Sequence, residues 1–264
     1  MTDNDSKPAA TKTVQIRPLW IVLIMLAAIA VTFTVTALLM SVFKHQQESA
    51  APVTTVTTLD ETTYDPAVWG ENFPSQYEGW LDTAEFTPTN HSQELVELDR
   101  ENDPRDEVTG DKTVEDPRLK VLWSGYPFAT EYRHARGHAY MTLDQTYSLR
   151  AVEYNQPGTC VNCHASMPAV YSEIGDGNQE EGFLKLGTMS LEEVLPLAEH
   201  PVACIDCHDP ETMALRITRP AFMKGIAQVK AYEDGIEDYD VNRDATRNEM
   251  RSYVCAQCHV EYYF

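Results

Sequence analysis

The pattern of apolar positions separates one continuous hydrophobic segment from a long remainder of short amphipathic stretches. Residues 19–43 contain no charged side chain. As a helix, this segment would extend about 37 Å, which is enough to cross a hydrocarbon layer of about 30 Å. The apolar part of a cleavable signal peptide has only about 7–15 residues, so the pattern favours an uncleaved transmembrane anchor. The small residues 49–51 leave cleavage open as the alternative.

Charges on either side of this segment predict its orientation. Three basic residues precede it, and Lys44 alone follows it closely. Because basic residues stay in the cytoplasm, we expect a single-pass protein of the cytoplasmic membrane with its N-terminus inside. Residues 1–18 would be a cytoplasmic tail, and residues 44–63, rich in Thr and Ala, would be a tether. A domain over residues 64–264 would then lie on the periplasmic side.

Within residues 64–264, short helical patterns dominate. Aromatic and aliphatic residues spaced three and four apart predict one apolar helical face at Trp69, Phe73, Tyr77, Trp80 and Leu81. A short helix is predicted over residues 191–197 and a last helix from Asp244 as an N-cap, while Pro220 would either break or start a helix. Residues 94–118 and 175–182 are polar and contain Gly or Pro, which predicts surface loops. Few alternating patterns occur, so the expected class is mainly α.

The charge of the chain restricts its partners. The formal net charge is −21 at pH 7. So acidic a protein is not expected to bind nucleic acid or to dock on anionic lipid headgroups. The same charge would favour a basic redox partner or serve solubility alone.

All six cysteines occur in three copies of a C-x-x-C-H motif. The copies are Cys160-Val-Asn-Cys163-His164, Cys204-Ile-Asp-Cys207-His208 and Cys255-Ala-Gln-Cys258-His259. This motif is the attachment signature of c-type haem, in which the two thiols form thioethers and the histidine reaches the iron. We therefore predict a multihaem cytochrome c fold, with haems packed between short helices and long loops.

Paired cysteines also occur in structural zinc sites and in disulfides. A zinc ribbon places its C-x-x-C pairs about 15–20 residues apart, whereas these motifs begin at residues 160, 204 and 255. Isolated disulfides would leave the three histidines unexplained. Covalent haem accounts for all nine residues.

The axial ligands decide what each haem can do. His164, His208 and His259 are the proximal candidates. A haem that transfers electrons usually has a second axial ligand, whereas a catalytic haem keeps one position open. Among the remaining histidines, His138 in the Arg136-Gly-His segment is the best candidate for a distal ligand to haem iron.

Several segments resemble the pentahaem, ammonia-forming cytochrome c nitrite reductases. The ten residues from Cys255 to Phe264 are similar to the third haem segment of that family, and residues 204–213 and 215–222 are similar to its second. Residues 69–77 and 125–132 are similar to its N-terminal segments. The resemblance covers residues 64–264. Many members carry lysine in the first motif, where this chain has His164.

The resemblance implies roles for individual residues. His164 would be the proximal ligand of the catalytic haem, and Arg150 would be the active-site arginine. Tyr262 would be the active-site tyrosine, while Glu261 and the Tyr262 carbonyl would bind calcium. His138 would be the distal ligand of another haem.

The resemblance also implies an activity and partners. The expected reaction is the six-electron reduction of nitrite to ammonium, with a quinol-linked electron donor and a homodimeric full-length enzyme. The family carries five haems, and three motifs are present here, so we expect this chain to be the N-terminal portion. The alternative is a membrane-anchored trihaem cytochrome that transfers electrons without catalysis.

Overall fold

The computed structural model describes residues 18–50, 55–87, 94–101 and 103–260, with the side chains of residues 45–50 excepted. The chain divides into two compact units, residues 1–54 and residues 55–264.

The described part of the first unit is one long helix, α1, Pro18–Ala50. Residues 18–44 have a mean hydropathy of 2.6 and suffice in length and composition to cross a membrane. The hydroxyls of Thr32 and Thr34 donate to the carbonyls of Ala28 and Ala30, so these polar groups are satisfied within the helix. The helix ends seven residues beyond the predicted anchor, because residues 44–50 of the predicted tether are also helical. The predicted cytoplasmic tail lies almost wholly outside the described residues.

The second unit is mainly helical, as predicted. Its one described sheet pairs β1, Leu95–Glu97, with β2, Glu107–Thr109, in antiparallel register. Short helices make up the rest: α2 Pro66–Asn72, α3 Pro74–Leu81, α4 Lys112–Glu115, α5 Arg118–Leu122, α6 Met141–Tyr147, α7 Leu149–Val152, α8 Val161–His164, α9 Pro168–Ile174, α10 Gln179–Leu186, α11 Leu191–Val194, α12 Cys204–Cys207, α13 Pro220–Asp234, α14 Val241–Asp244 and α15 Arg247–Ala256.

The start of the second unit is held by an asparagine. Asn72 accepts hydrogen bonds from the backbone amides of Val56 and Thr57 at 2.7 and 2.9 Å, and its amide donates to the Thr57 carbonyl at 2.7 Å. The indole of Trp69 donates to the Thr63 carbonyl at 2.8 Å. Residues 56–63 of the predicted tether are therefore bonded to α2.

The aromatic stretch forms two helices instead of the predicted continuous face. The residue before a proline avoids the helical conformation, and Phe73 before Pro74 has φ −132° and ψ 61°. Trp69 is fully buried in α2, and the indole of Trp80 in α3 donates to the Val202 carbonyl at 2.8 Å. Leu81 is exposed, so it does not belong to the core.

The prediction of a solvated loop over residues 94–118 was wrong. The segment contains β1, β2 and α4, and Arg105 within it is buried. Its charge density misled the prediction because the charges pair with each other: the Arg105 guanidinium donates to both carboxylate oxygens of Asp103, at 3.0 and 2.9 Å.

Helix starts follow capping side chains that periodicity alone did not identify. Asn178 accepts from the amides of Glu180 and Glu181, so α10 begins inside the predicted loop over residues 175–182. The last helix begins after Thr246, which forms a capping box with Glu249, and not at the predicted Asp244, which ends α14. The predicted helix start at Leu191 is confirmed, and Pro220, which was expected either to break or to start a helix, starts α13.

The largest apolar cluster packs around the first motif. Val161 from α8 lies against α9, α10 and α11, with Met167, Tyr171, Leu186 and Val194 all buried. Helices α9 and α10 approach so closely at Gly182 that an added Cβ would lie 2.1 Å from the Tyr171 carbonyl oxygen. The core therefore holds the first motif on a rigid support.

Candidate haem-binding and anion-binding site

Each motif lies on a short helical segment. The first spans a 3-10 turn, Gly158–Cys160, and α8, the second lies on α12, and the third occupies the end of α15. All six cysteines are free thiols. Among the described residues, no group of three or more His, Cys, Asp or Glu side chains is placed to hold a metal ion. The disulfide and zinc interpretations therefore have no support from this geometry.

The three motifs converge although they are far apart in sequence. The neighbouring Cys258 thiol is the largest influence that lowers the pKa of Cys163 to about 6, so the first motif lies close to the third. The side-chain amide of Gln257 in the third motif lies 3.8 Å from the Cys207 sulfur of the second. Cysteine spacing did not predict this arrangement.

A buried ion pair lies where the motifs meet. Arg219 and Asp206 are 0% and 1% exposed, and the guanidinium donates to the carboxylate at 2.7 Å. Burial is the largest single influence and lowers the pKa of Arg219, but the attraction of Asp206, Cys258 and Tyr171, together with the hydrogen bond to Asp206, raises the pKa above its ordinary value. Arg219 is therefore a buried cation, and the Asp206 carboxyl group is the partner that offsets its desolvation.

Residues 216–219, here called the strap, connect this ion pair to all three motifs. Arg219 donates to the carbonyls of Asn162 and Ala165 at 2.7 and 3.1 Å. The amide of Thr218 donates to the Gln257 side chain at 2.9 Å, and its hydroxyl donates to the Asp206 carbonyl at 2.9 Å. The strap is thus the shared partner of the haem-attachment segments.

Sequence reasoning missed this junction, although a signal for it exists. Asn162, Asp206 and Gln257 occupy the same position of their motifs, directly before the second cysteine. All three are polar, and all three are buried. A motif position that carries a polar residue in all three motifs, and is buried in all three, indicates a common packing requirement.

A cavity of about 410 Å³ opens beside the first motif. Arg150 and His164, which were predicted to act together, both line it, as do the cysteines of the first motif. Further lining residues had not been predicted, and they include Lys112, Arg133 and Asp144. Three cationic side chains and one carboxylate make this lining net positive in a chain of net charge −21. Such a lining attracts small anions.

Arg150 is positioned from both sides. It lies in α7, its guanidinium donates to Asp144 at 3.0 Å, and its centre is 5.8 Å from the Phe128 ring centroid. Asp144 also lies 3.7 Å from the buried Arg105. These contacts hold the guanidinium at the cavity wall.

The imidazole of His164 suits a metal ligand. Its Nδ1 is buried without a hydrogen-bond partner. Burial lowers the pKa of His164; Asp144 opposes this shift and Arg150 adds to it. The ring is therefore neutral, which is the form that binds iron.

His208 is oriented by a backbone carbonyl. Its Nδ1 lies 3.0 Å from the Met213 oxygen, and since a carbonyl only accepts, Nδ1 is the donor and Nε2 is the ring nitrogen left for a metal. Met213 adopts φ +60°, in the left-handed region, as it presents this carbonyl. Both histidines thus fit haem iron.

His138 lies near the third motif. Burial lowers the pKa of His138, the neighbouring His259 lowers it further, and Asp206 partly opposes the shift. Its turn is fixed by Thr83, which accepts from the amides of Gly137 at 2.8 Å and Ala139 at 3.1 Å. A Cβ at Gly137 would lie 2.3 Å from the Thr83 Cβ, so this close approach requires glycine.

The predicted calcium site lies outside the described residues. Glu261 and Tyr262 belong to residues 261–264, which the structure does not describe. Their assignments as calcium ligands, and that of Tyr262 as an active-site residue, remain predictions.

Known proteins are similar to this chain in sequence and in fold. The family model for cytochrome c552 matches residues 65–264. Cytochrome c-552 of Bacteroides fragilis is 36% identical over 208 residues, which cover 75% of this chain and 36% of that protein. The cytochrome c nitrite reductase subunit NrfA of Nitratidesulfovibrio vulgaris is 34% identical over 202 residues, covering 73% of this chain and 35% of that protein.

A solved structure agrees with these relatives. The cytochrome c nitrite reductase of Desulfovibrio desulfuricans, whose catalytic subunit has two calcium sites, matches with a TM-score of 0.56 and 28% identity. The match covers 79% of this chain and 42% of that chain. This chain spans about a third of the length of the curated relatives it matches.

Proposed function

Because the chain belongs to the cytochrome c552 family, as its resemblance to the ammonia-forming nitrite reductases predicted, we propose that it forms the nitrite-binding, haem-bearing portion of such an enzyme. The reaction would be the six-electron reduction of nitrite to ammonium. The observation that carries this proposal is the net positive cavity that joins Arg150 to His164 and the cysteines of the first motif. An anionic substrate is the ligand that such a cavity favours.

Haem c would be held at each of the three motifs, through the cysteine thiols and His164, His208 and His259. When bound, it supplies an iron centre that coordinates nitrite and carries electrons. We further propose that His138 and His259 ligate the same iron, since His259 is close enough to His138 to contribute to lowering its pKa. Among the described residues, His164 is the histidine that lines the cavity, so the group it would hold would border the space proposed for the anion.

Arg150 would hold the anion in the cavity. A guanidinium presents N–H groups in a planar fork that suits the two oxygens of nitrite, and its fixed charge stabilises added electron density. Asp144 would keep the fork in place. Lys112 and Arg133 would raise the local anion concentration. Glu261 and Tyr262 would add a bound calcium and a hydroxyl donor.

Helix α1 would anchor the protein in the cytoplasmic membrane with the haem domain in the periplasm, in keeping with its apolar length. A quinol-linked donor and a homodimeric full-length assembly complete the proposal. The alternative is a trihaem electron-transfer protein without catalysis. The proximity of the Cys163 and Cys258 thiols is compatible with it, because closely spaced haems favour electron transfer whether or not the protein is a catalyst.

A nitrite titration tests the proposal. The chain is produced with haem attachment, its haem content is counted by mass spectrometry, and absorbance spectra are recorded as nitrite is added. We expect three haems, of which one is high-spin and changes its spectrum with nitrite. Three low-spin haems that ignore nitrite would instead establish the electron-transfer alternative, and bound zinc in place of haem would contradict both.

A further inference from the structure

Glu131 carries a wholly buried carboxylate close to the positive cavity. The residue is 0% exposed, and it is not one of the residues that line the cavity. A charged group inside a protein is stable where hydrogen bonds and opposite charges replace the lost water. The two carboxylate oxygens find these partners on two different segments, so Glu131 links the segments to each other.

One oxygen of Glu131 orients Arg133. Its Oε1 accepts a hydrogen bond from Nε of Arg133, and the same guanidinium donates from Nη1 to the Thr109 carbonyl at 2.7 Å. Arg133 is one of the three cationic residues that line the cavity. Because a guanidinium is planar, acceptors at two of its nitrogens restrict its rotation. The charge of Arg133 is therefore held in one place.

The other oxygen of Glu131 holds the start of the helix that carries Arg150. Its Oε2 accepts from the amide of Leu149, the first residue of α7. Ser148 at the N-cap forms no side-chain capping bond, and its buried hydroxyl has no hydrogen-bond partner among the described residues. Glu131 therefore satisfies an amide that an N-cap side chain usually satisfies. This bond fixes the backbone one residue before Arg150.

A third contact of the carboxylate lies on the other side of this turn. Nη2 of Arg100 is 3.9 Å from Oε1 of Glu131, and Nη1 of Arg100 donates to the Tyr147 carbonyl at 2.8 Å. Tyr147 is the last residue of α6, and Ser148 separates it from α7. Buried charges thus hold the backbone on both sides of Ser148.

We propose that Glu131 is a positioning residue for the anion. By bonding Arg133 with one oxygen and the start of α7 with the other, it sets where Arg133 and Arg150 lie relative to each other. Two guanidinium groups beside one cavity repel, so their spacing needs such a fixed support. The cavity would then favour a small anion that reaches both groups. The inference rests on the proposed function, in which this cavity binds nitrite.

Charge and position make opposite predictions at Glu131. If its charge alone acted, removing a negative group near a positive cavity would strengthen the attraction for an anion. If it acts by position, its removal weakens anion binding, because a misplaced guanidinium contributes less than an aligned one. The direction of the change therefore distinguishes the two.

Nitrite titration of the haem-loaded chain, followed by absorbance, tests the proposal. Glu131→Gln keeps the size of the side chain but has one acceptor oxygen, so nitrite should bind about 10-fold more weakly. Glu131→Asp keeps the charge and both acceptors on a shorter side chain, so it should retain more affinity than Glu131→Gln. Unchanged or tighter binding in Glu131→Gln overturns the proposal. A greater loss in Glu131→Asp also overturns it, because that order indicates packing alone.

Coupling between Glu131 and Arg150 is the second readout. In an Arg150→Leu background, Glu131→Gln should weaken nitrite binding by a smaller factor than in the unmodified protein, because one of the two guanidinium groups that it positions is gone. Equal factors in the two backgrounds would mean that Glu131 acts independently of Arg150, and this result contradicts the proposal.

Loss of folding is separated from loss of positioning by haem content and thermal unfolding, measured for every variant. If Glu131→Gln does not bind haem, the comparison moves to an Arg133→Met background, where the buried carboxylate and its bonded cation are removed together. Adding Glu131→Gln there should still weaken nitrite binding, through α7, and the absence of a further loss overturns the proposal.

Glu115→Gln is the matched control. The Glu115 carboxylate is partly exposed and bonds the His134 ring at 2.9 Å, and Glu115 is not one of the cavity-lining residues. This variant should leave nitrite affinity and haem content unchanged. A loss of affinity equal to that in Glu131→Gln would show that any carboxylate of this region has the same effect, which overturns the role assigned to Glu131.

The unmodified chain separates this inference from the proposed function. If it binds haem but not nitrite, the proposed function is refuted. If it binds nitrite and the Glu131 variants bind nitrite equally well, the inference alone is refuted.

Discussion

Two arginines near the first motif differ in what surrounds them. Arg219 is fully buried and donates to four acceptors within the protein, the side chains of Asp206 and Thr218 and two backbone carbonyls. Arg150 borders a cavity, and among the described residues it pairs with Asp144 and the Phe128 ring. A guanidinium with its donors used internally organises the protein, whereas one at a cavity wall keeps donors for a ligand. Residue type alone does not distinguish these roles.

The largest expected effect is on stability, at Arg219. Arg219→Met leaves the Asp206 carboxylate buried and unpaired, so the free energy of unfolding should fall by about 3–5 kcal/mol. Denaturant unfolding of the haem-loaded protein measures this. Arg118→Met removes an exposed ion pair with Asp116 and should change the free energy of unfolding by less than about 1 kcal/mol. If both variants lost the same free energy of unfolding, burial would not account for the difference expected between Arg219 and Arg118.

The second effect is on ligand binding, at Arg150. Arg150→Leu removes a charged donor worth about 1.5–3 kcal/mol, so nitrite should bind about 10- to 100-fold more weakly. Absorbance titration with nitrite measures the affinity, and haem content should stay unchanged. Arg118→Leu should bind nitrite as the unmodified protein does. Were Arg219→Met to weaken nitrite binding as much as Arg150→Leu, the assigned difference between the two arginines would be wrong.

The smallest effect concerns the partly exposed ion pair between Lys230 and Glu249. Glu249 accepts from Lys230 and Thr246, and these bonds lower the pKa of Glu249 to about 2. A depressed carboxyl pKa stabilises the fold above its unfolded value of about 4.5, and this contribution is lost as the pH falls toward 2. Glu249→Gln should therefore lower the unfolding midpoint slightly at pH 7. That difference should shrink between pH 4.5 and 2, and a pH-independent difference would contradict the ionic origin.

Local sequence patterns predicted the mainly helical class of the fold better than they predicted which segments are buried. The helix beginning at Leu191 was predicted, and Pro220 was identified as a residue that breaks or starts a helix, because periodicity, length and proline act within a few residues. The segment containing Arg105 was assigned to solvent because its charges were counted singly. Their pairing with Asp103 is what permits burial, and pairing depends on how the chain turns.

Site residues divide in the same way. His164 and Arg150 were predicted from motif and resemblance, and the structure brings them to one cavity. Arg219 and Gln257 were missed because their partners are distant in sequence: Arg219 bonds residues 54 and 57 positions away, and Gln257 bonds one 51 positions away. No short motif records such contacts.

By itself, the sequence determined three C-x-x-C-H motifs of the kind that attach haem, a helical domain and an apolar segment long enough to cross a membrane. These features depend on the order of neighbouring residues, through the reach of two thiols and an imidazole and through helical periodicity. Only the tertiary structure decided that the three motifs meet at one buried ion pair and that Arg150 lines a positive cavity. Burial and long-range contacts give two arginines different roles. Desolvation requires a charged partner for Arg219, whereas Arg150 at the cavity wall keeps donors for a ligand.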